Sequence, residues 1–169
     1  MNENEIARLV KEAVSELYRS QSKAVKHVDV SDMSLDLARA VIAKVEKKAQ
    51  EMGVPVVVAV SNAAARPVAV ECMDDSYIAS YDIALNKAFT VAALKMPTTE
   101  LKHLCQPGGS LYGLELTNGG KIVIFGGGVP LVYQDKLIGG LGVSGGSEEQ
   151  DTLLAEYGAS VLEEVVSCL

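Results

Sequence analysis

The chain has 169 residues, 49% hydrophobic and 22% charged, which suits one folded domain with a short appendage and excludes wholesale disorder. Fifteen Lys and Arg against 22 Asp and Glu leave a formal charge of −7 with no basic cluster, so no nucleic-acid partner is expected. No apolar run nears the roughly 18 residues that cross a bilayer, and no basic-then-apolar leader opens the chain, so a cytoplasmic protein without membrane partners is expected.

In chain order, Ile6, Leu9, Val10, Ala13, Val14 and Leu17 follow the spacing of one apolar helix face, opposite Glu5, Arg8, Lys11, Glu12 and Glu16. Residues 21–33 are polar and aperiodic, as a linker would be. Such a helix is marginal alone, and its apolar face calls for a partner. The body, residues 34–169, opens with Ser34 as N-cap of a helix that Gly53 stops. Val54–Val60 reads as a strand buried on both faces and hairpins with Pro67–Glu71. A long helix is predicted from Asp74–Ser76 to Lys95, followed by a short one from Thr98 or Thr99 to about Gln106.

Beyond Pro107, turn signals separate three further strands, at Lys121–Phe125, Pro130–Tyr133 and Leu137–Val143. Gly139, Gly140 and Gly142 in the last of them imply close approach of another backbone. Ser147 caps a closing helix, Glu148–Val166, with acids in its first turn. This order predicts an α+β fold, an antiparallel sheet flanked by helices in α/β/α layers, without parallel winding.

The segments Met73-Asp74, Asn86-Lys87-Ala88, Met96-Pro97-Thr98, Gly127-Gly128-Val129-Pro130 and Ile138–Gly146, then Gln150-Asp151, resemble the GlcG/HbpS family. That family includes the C-terminal domain of PduO-type proteins. The resemblance runs from about Ser34 to the C-terminus. It implies a profilin-like, five-stranded antiparallel sheet between helices and assembly into homo-oligomers. It also implies haem binding, with corrinoid or small-metabolite chemistry as the alternative. Two positions depart from the family pattern: Asn62 and Ala65 stand where many members have Asp and Gly, and Asp135-Lys136 replaces Asp-Gly. Residues 1–20 resemble the encapsulation peptides that carry cargo into bacterial microcompartments. This implies shell proteins as partners and the microcompartment lumen as location; the alternative is a helix packed on its own domain or a sister subunit.

The three cysteines are too scattered for a disulfide framework, and neither CxxC nor HExxH occurs. Haem iron takes His, Cys, Met or Tyr ligands. His103 is the candidate iron ligand, against a plain surface histidine. Cys105, two residues on, points elsewhere on a helix, so a single axial contact is favoured. Lys87, among Ala84, Ala88 and Val91, either meets an anionic group such as a propionate in a pocket or snorkels to the surface. Gly126–Gly128 are followed by a strand and not a helix, which rules out a phosphate loop; their N–H groups either face a ligand or permit close packing. With Met73, Thr98, Gly127 and Gly128 from the family motifs, these residues form the cofactor-binding set. No catalytic residue is named: few acid–base pairs exist, which favours a binding protein over an enzyme or a scaffold whose pocket is vestigial.

Overall fold

The computed structural model describes residues 30–169 and Glu5. The expected helix over residues 1–20, apart from Glu5, and most of the expected linker lie outside the described residues. Helix α1 (Leu35–Met52) starts where Ser34 Oγ accepts from the Leu37 N–H (3.2 Å) and stops at Gly53, whose φ of 67° turns the chain out. Strands β1 (Val57–Asn62) and β2 (Pro67–Cys72) form the expected hairpin. Helices α2 (Ser80–Leu94) and α3 (Thr98–Leu104) follow. The hairpin of β3 (Gly128–Tyr133) and β4 (Lys136–Ser144) comes next, then α4 (Glu148–Ser160) and α5 (Leu162–Cys168). Gln134 and Asp135 both have positive φ, as a two-residue turn matched to strand twist requires.

The sheet is antiparallel in the order β2-β1-β4-β3. Successive β1 side chains point to opposite faces, and both faces are covered. Val58 and Val60 join Val41, Ile42, Val45 and Leu154 of α1 and α4, while Val57 and Ala59 meet Ala84 and Ala88 of α2. Helix α2 lies directly on β4. A Cβ at Gly142 would strike the Ala84 carbonyl oxygen, and one at Gly140 the Ala88 carbonyl oxygen. The glycines in this strand therefore set the distance between helix and sheet.

Three expectations are corrected. The sheet has four strands among the described residues, not five: residues 121–125 join no ladder. Thr90 Oγ1 accepts from the Val123 N–H (3.0 Å) and donates to Asn86 O (2.7 Å), so an α2 side chain satisfies a donor that a neighbouring strand would have taken. Ile122 and Val123 are nonetheless buried, which is why they read as strand. Helix α2 begins at Ser80 instead of near Asp74, because Asp75 adopts a positive φ of 65°. The closing helix is two helices, broken at Val161 (φ −90°, ψ 0°) so that Leu162, Val165 and Val166 return to the core.

Ala65 sits in the β1–β2 turn at φ 57°. Asn62 Oδ1 holds that turn by accepting from the Ala64 and Arg66 N–H groups (3.1 and 3.0 Å). An L-residue in this region costs roughly 1–2 kcal/mol, partly offset by the larger unfolded-state entropy of glycine. Ala65→Gly is therefore expected to raise stability by up to about 1 kcal/mol, read as a higher midpoint in thermal unfolding.

Candidate functional site

Because α2 rides so close to β4, Lys87 at its centre has no route to solvent: it is 0% exposed. Its ammonium donates to Val143 O (2.7 Å) and to Asp151 Oδ2 (2.8 Å), and lies 5.0 Å from the Phe125 ring centroid. Asp151 is delivered by the first turn of α4, which is fixed by a reciprocal cap between Ser147 and Gln150. Its other oxygen accepts from the Gly146 N–H (2.9 Å). Gly127, at φ 105°, closes the far side. A Cβ there would stand 2.5 Å from Lys87 Nζ and 2.7 Å from Asp151 Cβ, so only glycine fits.

Above this pair opens a cleft of about 270 Å³ lined by Tyr77, Ser80, Ile83, Phe125, Ser144, Gly146, Glu148 and Asp151. Ser144 Oγ donates to Ser80 Oγ (3.2 Å) within it. At its rim Glu148 accepts from the Gly126 N–H (2.9 Å) and from Lys102 Nζ (2.7 Å). Tyr77 and Phe125 in its lining are 73% and 40% exposed, and Ile78 and Tyr81, next in the chain after Tyr77 and Ser80, are exposed as well. Burial pushes the Lys87 ammonium below the usual lysine range, while the adjacent Asp151 carboxylate opposes that shift. The Lys102 hydrogen bond, then that from Gly126, holds Glu148 below the usual carboxylate range.

The structure gathers Lys87, Gly127, Gly128 and Thr98 in one place: Thr98 Oγ1 accepts from the Gly128 N–H (2.9 Å), next to the Gly127 that caps Lys87. The other candidates stand apart. His103 is exposed on α3, one residue after the Lys102 that reaches the cleft rim. Cys105 is buried, and burial followed by the Glu115 charge pushes its thiol pKa up, so it is a protonated thiol. Met73 lies beyond β2, where its Sδ accepts from the Val56 N–H (3.5 Å) and it packs on the α1 side of the sheet. Sequence reasoning missed Asp151, Phe125, Ser80, Ser144 and Glu148 as partners. A signal existed for Asp151: a lysine flanked by Ala84, Ala88 and Val91 on a buried face needs a carboxylate, and Gln150-Asp151 closes the run of motifs.

Among the described residues, no three His, Cys, Asp or Glu side chains converge to hold a bare metal ion. The 270 Å³ cleft falls below the roughly 300–1,000 Å³ of enclosing small-molecule sites. The exposed Tyr77 and Phe125 rings in its lining fit the face of a flat apolar ligand.

Together these features define an antiparallel α+β domain with a buried ion pair beneath an aromatic-rimmed cleft. The chain belongs to the HbpS-like family, whose model, described as haem degrading protein HbpS-like, matches residues 33–160. A 15.0 kDa protein of Citrobacter freundii from the dhaT–dhaS intergenic region is 44% identical over 140 residues, 83% of this chain and 99% of that protein. The corrinoid adenosyltransferase PduO of Salmonella typhimurium is 46% identical over 121 residues, 72% of this chain but 36% of the enzyme. The chain thus spans about a third of PduO. A solved structure, the PduOC:haem complex, superposes with a TM-score of 0.73 at 40% identity, covering 76% of this chain and 94% of that one.

Proposed function

We propose that this domain binds haem on the surface beside the Lys87 cleft, with His103 as axial ligand and a second copy of the chain closing the site. The observation that carries this reading is the likeness to PduOC in its complex with haem, at 40% identity over 94% of that chain. Bound haem supplies an iron centre open to one or two axial ligands. The chain supplies an exposed imidazole, an apolar rim at Tyr77, Ile78, Tyr81 and Phe125, and the Lys102 ammonium near that rim as a partner for a propionate. Exposed apolar side chains gathered at a cleft mark a contact surface, which favours a homo-oligomer. The Lys87 and Asp151 charges satisfy one another, which supports a binding role in place of acid–base catalysis.

Titrating the protein with haem tests this. The wild type is expected to give a saturable Soret shift that His103→Ala loses. A full shift in the variant would remove His103 as the ligand, and no shift in either protein would end the haem reading. The name of PduO favours a corrinoid as the alternative ligand, and adding cobalamin as a competitor distinguishes the two.

We further propose that residues 1–20 dock the protein on a microcompartment shell, placing it in the lumen, with residues 21–33 as tether to the domain at 34–169. The support is the apolar stripe Ile6, Leu9, Val10, Ala13, Val14 and Leu17, which suits helix-in-groove recognition. Each buried Leu or Ile contributes roughly 1.5–3 kcal/mol. Leu9→Glu with Val14→Glu should therefore abolish docking of the full chain, fused to a fluorescent protein, in cells making the shell. Puncta that persist in the double variant would contradict it.

A further inference from the structure

We infer that the apolar face of residues 1–20 docks in cis, in a groove of its own domain between the start of the described chain and the C-terminus. The groove, about 470 Å³, is lined by Val30, Met33, Leu37, Val166 and Leu169, with Asp32 and Asp36 on its rim. Its walls are fixed: the Met33 N–H donates to Ile138 O (3.0 Å), and Asp32 Oδ1 accepts from the Met33 and Ala63 N–H groups (both 2.9 Å). Met33, Leu37 and Val166 are buried, whereas Leu169 at the mouth is 61% exposed.

Three observations select this occupant. The chain that precedes the groove enters it directly, since Val30 is both the first residue of the continuous described stretch and part of the lining. Residues 21–29 can span at most roughly 30 Å, enough to fold back but short enough to keep the helix close. Such a tether gives an effective concentration on the order of millimolar, so weak docking suffices. Finally, one edge of the helix matches the rim in charge. On the helix that the periodicity of residues 1–20 predicts, Lys11 stands at the Val14 edge of the apolar stripe, where it can face a rim of Asp32 and Asp36, while Glu5, Glu12 and Glu16 flank the other edge and Arg8 and Arg19 lie opposite the stripe. Glu5 is helical and exposed, as that orientation requires. The same apolar face cannot serve the groove and a shell surface at once, so docking in cis is a storage state. It stands whether or not a shell is the final target.

The exposed native Cys168, next to Leu169 at the groove, supplies the probe. In the full chain with Cys72→Ser, single substitutions Leu9→Cys, Ala13→Cys and Leu17→Cys are oxidised at micromolar protein and the disulfides mapped by mass spectrometry. At least one is expected to join Cys168 within the same chain at least about tenfold faster than Arg8→Cys on the opposite, polar face, as tethering in one orientation predicts. Disulfides formed only between chains would give the groove to a second copy and overturn the proposal. Equal rates for the apolar and polar positions would overturn it as well. Hydrogen exchange on the unsubstituted chain is the check free of variants: slow exchange over residues 6–17 is expected, and exchange at the rate of an open helix would contradict it.

Discussion

Asp151→Ala is expected to lower the unfolding free energy by about 3–5 kcal/mol, the range for removing one partner of a buried ion pair. The Lys87 ammonium would keep its bond to Val143 O and its place near Phe125, but with no counter-charge and no path to water. Lys87→Met leaves the converse, a carboxylate 6% exposed that retains the Gly146 N–H alone. The double variant Lys87→Met, Asp151→Leu should recover most of the loss, because two apolar side chains of similar volume escape the desolvation penalty of both charges. Urea unfolding reads this as a shifted midpoint at constant slope. Single variants within about 0.5 kcal/mol of wild type, the usual range of surface substitutions, would show that the pair is not buried as described.

Gly142→Ala is expected to be nearly as damaging, at about 3 kcal/mol, the upper range for overpacking a filled core. The new methyl would meet the Ala84 carbonyl oxygen and the Ala88 nitrogen, both backbone atoms, so no rotamer change can relieve it. Helix α2 must lift from β4, carrying Lys87 away from Asp151. Gly108 provides the contrast: it has φ 86° but nothing within 4 Å of its missing Cβ, so Gly108→Ala costs only the roughly 1–2 kcal/mol of the backbone conformation. Thermal unfolding of both variants tests the ranking. A Gly142→Ala protein as stable as Gly108→Ala would contradict the helix–sheet contact.

These two sites also show what the amino-acid sequence reveals and what it hides. The bounds of α1 follow from Ser34 and Gly53, and the close approach at β4 from its glycines, because caps and glycine spacing are local features. The fifth strand misled because Ile122 and Val123 are apolar and buried like a strand; that Thr90 takes the Val123 N–H is a tertiary fact. Lys87 stood out by its apolar neighbours. Its partner lies 64 residues away in the first turn of α4, where an acidic residue has an ordinary explanation in the helix dipole. Asn62 shows the same limit. As a replacement for Asp it suggests a lost pocket carboxylate, yet its oxygen serves the β1–β2 turn through Ala64 and Arg66.

The central claim is that haem is held at a surface which a second copy of the chain completes. Native mass spectrometry of the full-length protein with substoichiometric haem addresses it directly. The expected spectrum carries haem on an oligomer, with the 17.8 kDa chain free of it. Haem retained on the single 17.8 kDa chain, or on no species at all, would contradict the account.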